Sequence, residues 1–410
     1  MANARLHFDF RIHGRAAKAA LGFAVALMPA FIAAPLASPQ TITVLYSFKG
    51  APDGALPVAG LVRDSAGNLY GTTYQGGASD AGVVFKVDPT RQETVLYSFT
   101  GGADGSAPFA GVIRDSAGNL YGTANGGGAF GAGVVFKVDA SGEETVLYSF
   151  TGGLDGASPC GGLLRDRAGN LYGTTSYGGA SNDGVVFKLE PSGKEVVLHN
   201  FAGFPTDGET PTAGLIGDLA GNLYGTTLFG GSGHCASSNI GCGVIFKLTP
   251  SGAEIILHSF AGSPTDGANP VAGLIRDAAG SLYGTTEYGG SSAACGSQGC
   301  GAVFGLPAGG TEKLLHSFVG YPTDGYYPLG GLVRDAARNL YGTAFEGGSS
   351  DGGIVFKLDP LGTETVLYNF SGLASTASEA NLILDSRGNL YGTTVGDGAF
   401  GNGDIFKLVP

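Results

Sequence analysis

This chain of 410 residues is poor in charge, and poorest in positive charge. Only 14% of its residues are Asp, Glu, Lys or Arg, against roughly 25% in ordinary soluble domains. The 22 Lys and Arg are outnumbered by 34 Asp and Glu, for a net charge of −12. A basic stripe able to neutralise a phosphate backbone is therefore missing, and nucleic acid is not an expected partner. Beyond residue 37 there is no helical periodicity of useful length and no apolar run approaching the ~20 residues that cross a bilayer. The mature chain is not expected to span a membrane. Sequence signatures of catalysis are missing as well: there is no Walker-type phosphate loop, no HExxH helix and no GxSxG nucleophile elbow. Those absences narrow the enzyme classes without excluding enzymes altogether.

Glycine is what the chain has in excess, with 75 copies. Because 43% of residues are still hydrophobic and 10% aromatic, the excess is not that of a disordered or collagen-like chain, which could not offset backbone entropy by burial. It points to a turn-rich, all-β protein. The first residues are different in kind. Arg5, Arg11, Arg15 and Lys18 precede an Ala-rich apolar run from Ala19 to Ala34, the layout of a secretory signal peptide over residues 1–37 with cleavage near Ala37. Retention of this segment as an anchor is the alternative. Either way the remainder is expected outside the cytoplasm, secreted or held in the periplasm or cell envelope.

The dominant pattern after the leader is repetition. An Asn-Leu-Tyr-Gly-Thr phrase or a close variant places its Leu at Leu69, Leu120, Leu171, Leu223, Leu282, Leu340 and Leu390. Each period of ~50 residues holds four short runs rich in β-branched and aromatic residues, bounded by Gly, Asp, Asn, Ser or Pro. Four strands per such period predict a propeller blade. The mature chain opens with a strand of the fourth type, Thr41 to Phe48, and ends on one of the third type, Asp404 to Val409. The first strand can therefore complete the last blade and close the ring. The predicted fold is a seven-bladed β-propeller over residues 41–410, one domain with four-stranded blades.

The phrase running from Gly162 to Thr175 (GLLRDRAGNLYGTT), followed by Gly184-Val-Val-Phe-Lys-Leu, resembles the GloVer tandem-repeat family of secreted bacterial proteins. It is similar, more loosely, to NHL-type and SMP-30-like propellers. The first resemblance implies a secreted repeat protein without an established activity.

Residues that recur in every repeat are read as blade geometry, since a site in a ring is rarely sevenfold. Phe48, Phe99, Phe150, Phe201, Phe260, Phe318 and Phe370 recur in the fourth strand, and Phe85, Phe136, Phe187, Phe246, Phe304, Phe356 and Phe406 in the third. Both sets are expected to pack blade against blade, with the Tyr of each NLYGT phrase beside them. Asp64, Asp115, Asp166, Asp218, Asp277, Asp335 and Asp385 are expected to close turns. Arg63, Arg114, Arg165, Arg276 and Arg334 are expected to pair with these carboxylates. His199, His258 and His316 occupy a slot held elsewhere by Tyr46, Tyr97, Tyr148 and Tyr368, and are read as structural.

Long, variable loops join strands two and three and join blade to blade, all on one face, and this loop face is the expected binding face. Three groups there are candidates. The first is a ring of Asp-Gly pairs at Asp53, Asp104, Asp155, Asp207, Asp266 and Asp324, which serve as turn residues or attract Ca²⁺ or a cationic ligand. The second is a varying position at the channel mouth: Val58, Phe109, Cys160, Thr212, Val271, Leu329 and Glu379. The third is aromatic: Tyr177, Phe229 and Tyr288, with Tyr74 and Phe345 one position earlier, suited to stacking on sugars if exposed. Cys235 with Cys242, and Cys295 with Cys300, each bracket one loop and are expected to form disulfides, leaving Cys160 as a buried, inert thiol.

The expected function is that of a monomeric, non-catalytic propeller binding an extracellular glycan or protein through the loop face, with no obligatory cofactor and Ca²⁺ the one candidate ion. The alternatives are a metal-assisted hydrolase, lactonase or lyase at the channel mouth, and a structural protein of the envelope.

Overall fold

The computed structural model describes residues 40–235, 240–371 and 380–410. The expected leader, residues 1–37, lies outside them. Seven four-stranded antiparallel sheets follow one another along the chain. Blade one consists of Val62–Arg63, Leu69–Thr73, Val83–Val87 and Glu93–Ser98, and the others repeat this plan. Blade seven contributes only three strands from its own repeat, Ile383–Leu384, Leu390–Thr394 and Asp404–Val409. Its fourth is Thr41–Ser47, paired antiparallel with Asp404–Val409 from Thr41 opposite Val409 to Ser47 opposite Asp404. The ring is thus closed by the amino-terminal strand, as the sequence predicts. Among the described residues the sole helical element is a 3₁₀ turn at Gly296–Gln298, and no helix is long and apolar enough to cross a membrane.

Blade-to-blade packing follows from the two phenylalanine series. Each fourth-strand Phe meets the third-strand Phe of the next blade edge to face: Phe48 with Phe85 at 5.0 Å between ring centroids, Phe99 with Phe136 at 5.1 Å, and Phe370 with Phe406 at 5.5 Å across the closure. Burying a ring of this size stabilises by roughly 1.5–3 kcal/mol, and the edge-to-face geometry adds about 0.5–1.5 kcal/mol. The glycine of the NLYGT phrase makes room for the third-strand ring. A Cβ on Gly122 would lie 2.6 Å from Cζ of Phe136, which explains why that position repeats.

Every fourth strand also carries a bulge. Val84 faces Tyr97 and Phe85 faces Val95, so Leu96 is extra, and the other six blades repeat the shift. A bulge redirects the side chains beyond it, here the Tyr or His of the shared slot.

The face bearing the tight turns is nearly identical in all blades. In blade two, Asp115 Oδ1 accepts from the backbone N–H groups of Ala117 and Asn119, at 3.0 and 2.9 Å. Its Oδ2 accepts from Asn119 Nδ2 at 2.8 Å and from the Tyr121 hydroxyl at 3.1 Å. The Asp series is the turn device expected. The arginines are a correction. With those carboxylates already engaged, Arg165 stacks over Tyr121 of the preceding blade at 5.5 Å, and Arg63, Arg114, Arg276 and Arg334 do likewise on Tyr391, Tyr70, Tyr224 and Tyr283. Among the described residues only Arg334 reaches a turn carboxylate, with Nη2 3.8 Å from Asp277 Oδ2.

Candidate functional site

The loop face holds the candidate residues in three separate places. The first is the set of blade junctions. Each Asp of the Asp-Gly series turns back to the slot that the bulge redirects. The Tyr46 hydroxyl donates to Asp53, and the Tyr97 and Tyr148 hydroxyls donate to Asp104 and Asp155, both at 2.9 Å. At the next three junctions histidine replaces tyrosine: Nε2 of His199, His258 and His316 lies 3.3, 2.9 and 3.1 Å from Asp207, Asp266 and Asp324. A glutamate at the start of the next blade's fourth strand completes each set. Burial, together with the nearby aspartate, pushes Glu93, Glu144, Glu195, Glu254, Glu312 and Glu364 up to about 7. The six aspartates also accept backbone N–H groups of their own loops, as Asp53 does from Lys49 and Asp266 from Ala261, both at 2.9 Å. None of the six lines the channel mouth.

The second place is that mouth. Val58, Phe109, Cys160, Thr212, Val271 and Leu329 all line one cavity of about 540 Å³ on the axis, so the varying position does converge. Its walls are otherwise the Ala-Gly segments and the aliphatic residues that follow them, such as Leu163, Leu215, Leu274 and Leu332, and Glu287 and Asn381 bring a carboxyl and a carboxamide. Glu379 lies outside the described residues. Cys160 Sγ accepts from Asn125 Nδ2 at 3.3 Å, and burial pushes its thiol up, away from nucleophilic use.

The third place is a cleft of about 460 Å³ between blades four and five. Phe229 and Tyr288 line it, with His234, Asn269, Glu287, Ser297 and Gln298 supplying polar groups. Glu287 belongs to both this cleft and the axial mouth, and burial pushes its carboxyl up. Asn269 is held by its Nδ2 donating to the Leu228 carbonyl at 2.9 Å. Tyr177 is not part of the cleft; it is half exposed in blade three, where its backbone bridges to Ala157. The aromatic group expected as one set is therefore divided.

Against known proteins, the repeat pattern described as the Gloeobacter/Verrucomicrobia repeat matches residues 35–238 and 235–410. The chain belongs to that family. Comparison with curated proteins finds no match. Among solved structures the chain is similar to the extracellular domain of a hybrid two component system from B. thetaiotaomicron, at 11% identity and a TM-score of 0.57 over 91% of this chain and 41% of that one. A second such domain from that organism gives 13% and 0.55 over 89% and 39%. This Gloeobacter/Verrucomicrobia repeat protein thus spans about two fifths of the length of those chains, and the likeness is one of fold. A gluconolactonase from Xanthomonas campestris aligns at 14% identity over 90% of this chain and 89% of that one, with a TM-score of 0.40.

Both expected disulfides are present in this repeat protein. Cys235–Cys242 and Cys295–Cys300 each close a loop beside the cleft, and Cys235 itself forms part of the cleft wall. The glutamates and Glu287 are the site residues that reading the sequence misses. The six glutamates were legible as a repeat: each precedes the Val-Leu-Tyr or Leu-His run at a fixed offset. What repetition could not supply is the strand twist and bulge that bring them to the preceding blade's loop.

Proposed function

We propose that this protein is an exported, monomeric ligand-binding propeller that takes a saccharide in the cleft between blades four and five, with the axial mouth as an adjoining subsite. The observation that carries this reading is the junction at Glu287, which joins a cleft with two aromatic walls to an axial cavity. Aromatic faces suit the C–H faces of a sugar, while carboxamide and carboxyl groups suit its hydroxyls, and preformed concave sites of this size are the usual seat of small ligands. Two disulfides in the bordering loops support both an oxidising compartment and a preorganised rim. The extracellular domains that share the fold support the same compartment. Hydrolysis at the mouth has less to draw on, because Glu287 is the lone acidic side chain among the described residues lining it.

The test is a glycan panel read by calorimetry on the full chain. Tyr288→Ala is expected to weaken the selected glycan roughly tenfold, on the scale of one aromatic contact, and Asn269→Ala to weaken it as well, while Tyr177→Ala leaves it unchanged. Binding that responds to Tyr177 and ignores Tyr288 would overturn the assignment.

A further inference from the structure

The six junctions share a plan, but one of them departs from it in a way that hydrogen bonding does not satisfy. The glutamate Oε1 is buried without a hydrogen-bond partner at all six junctions, but at the junction of blades three and four Nε2 of His199 is buried and unpartnered as well. The nitrogen lies 3.3 Å from Asp207 Oδ2 and 3.9 Å from Glu254 Oε2, and donor atoms of the three residues all fall within 4.8 Å of one another. Ligands bound at 2.0–2.2 Å around a tetrahedral ion stand roughly 3.3–3.6 Å apart. His258, Asp266 and Glu312 also bring donor atoms within 4.8 Å of one another, but there His258 Nε2 is hydrogen-bonded to Asp266 at 2.9 Å, whereas the spacing at His199 is close to that of ligands.

Charge points the same way. Asp183 and Glu209 flank the loop of Asp207: a Cβ placed on Gly203 would lie 2.9 Å from Oδ2 of Asp183 and 3.5 Å from Oε2 of Glu209. Burial, together with the neighbouring carboxylates, pushes both Asp183 and Glu209 up. Among the described residues, no Lys or Arg forms an ion pair with Asp207, Glu254, Asp183 or Glu209. Asp207 and Glu254 thus face one imidazole, and Asp183 and Glu209 stand beside the same loop, with no Lys or Arg paired to any of the four among the described residues.

We propose that His199, Asp207 and Glu254 form a binding site for a first-row divalent transition metal of the Zn²⁺ type, clipping blade three to blade four. Imidazole with two carboxylates is a donor set for such ions, while Ca²⁺ takes oxygen ligands in larger number. The ring supplies its own control: Tyr97 and Tyr148 fill the His199 slot at other junctions, so tyrosine is a side chain that this scaffold accommodates there.

The experiment strips the full chain with chelator and titrates it with Zn²⁺, following heat and melting temperature, with Co²⁺ absorption to report tetrahedral coordination and Ca²⁺ as the comparison ion. Expected are saturable Zn²⁺ binding, a rise in melting temperature and a tetrahedral Co²⁺ spectrum, all weakened at least roughly tenfold by His199→Tyr and by Glu254→Gln but not by His258→Tyr. Glu254→Gln preserves shape and keeps the test decisive if His199→Tyr fails to fold. Absence of saturable binding, binding indifferent to both variants, loss that follows His258→Tyr instead, or a preference for Ca²⁺ would each overturn the proposal.

Discussion

The ring has two unlike halves. Around the junctions leading into blades one, two and three, Asp53, Asp104 and Asp155 pair with tyrosine hydroxyls. The junctions leading into blades four, five and six pair Asp207, Asp266 and Asp324 with histidine. The same histidine half carries both disulfides and the cleft between blades four and five, and it lengthens the single-pair bridges of the other half (Ala55–Gln75, Ser106–Gly126 and Ala157–Tyr177) to two-residue ribbons: Gly208–Glu209 with Phe229–Gly230, Gly267–Ala268 with Tyr288–Gly289, and Gly325–Tyr326 with Glu346–Gly347. The opposite face shows no such division, for its Asp-closed turns recur around the whole ring, with Asn replaced by Ser281 in blade five alone. Histidines, disulfides and a cleft gathered in one half of one face are what a single asymmetric ligand would select on a symmetric scaffold.

If the halves differ only at the loop face, the scaffold beneath them should respond alike. Phe136→Ala in the tyrosine half and Phe304→Ala in the histidine half both remove a fully buried ring, and each is expected to cost about 3–5 kcal/mol, measured by denaturant unfolding. A cost at one site under half of that at the other would break the equivalence of the core. The next effect belongs to one half alone. Reducing the disulfides, or replacing Cys235 and Cys242 by Ser, opens a loop with a sequence separation of 7 and is expected to cost about 2 kcal/mol, together with a loss of glycan affinity at the cleft. An unchanged melting temperature under reductant would remove the disulfides from the comparison.

How much of this was open to reading before the structure follows from what repetition can encode. The blade count, the closure by Thr41–Ser47 and the phenylalanine packing were legible because seven copies of one pattern average out local ambiguity. The convergence of Val58, Phe109 and Cys160 on the axis was legible because only that position varied among constant neighbours. The arginines were misjudged, since sequence places Arg165 next to Asp166, whereas the acceptors of that carboxylate are filled by Asn170, Ala168 and Tyr172. The junction sets were hidden for a different reason. His199, Asp207 and Glu254 come from two blades and a loop, and only the twisted, bulged fourth strand draws them together. The division of Tyr177 from Phe229 and Tyr288 likewise depends on loop paths that a shared Gly-Gly motif does not record.

The junction glutamates give a smaller effect with a definite sign. A carboxyl whose native value is raised from 4.5 to about 7 binds more protons folded than unfolded between those limits. Its contribution is therefore fully present below about pH 4.5 and is lost as pH rises through about 7. The turn aspartates act oppositely: hydrogen bonds outweigh burial and hold Asp218 and Asp385 at about 2, so their contribution is present above their ordinary value near 4 and is lost as pH falls toward 2. Stability is expected to peak between these windows, on the acid side of neutrality. With solvent screening at half-buried sites, each glutamate is worth about 1 kcal/mol. Glu144→Gln should flatten the decline between pH 5 and 8 by that amount, whereas a Zn²⁺-loaded Glu254 should titrate little in the same range. Melting curves across pH for the parent chain, Glu144→Gln and Glu254→Gln, with and without Zn²⁺, separate the halves; a Glu254→Gln that flattens the decline as much as Glu144→Gln in the presence of Zn²⁺ would erase the distinction.

The smallest effect concerns the other face, where the arginine series is interrupted at Gly217 and at Leu384. Arg165 stacks on Tyr121 at the junction of blades two and three, but at the junction of blades three and four Gly217 stands where that arginine would be, and among the described residues no guanidinium stacks over Tyr172. Gly217 does not adopt a left-handed backbone, and an added Cβ would approach only the Cδ2 of Leu164, at 3.3 Å, and the Asn222 carbonyl, at 3.8 Å. The nearer neighbour is the end of a flexible side chain, so the site can accept a residue. Gly217→Arg is therefore expected to stabilise by about 0.5–1 kcal/mol through the new stack and the loss of glycine's backbone freedom, read as a small upward shift in the unfolding midpoint. Tyr172→Leu in that background should cancel the stacking part of the gain, as Tyr121→Leu should for Arg165. A gain that survives Tyr172→Leu would mean that the arginine series acts through strand propensity instead, and that the stacks seen at five junctions accompany stability without producing it.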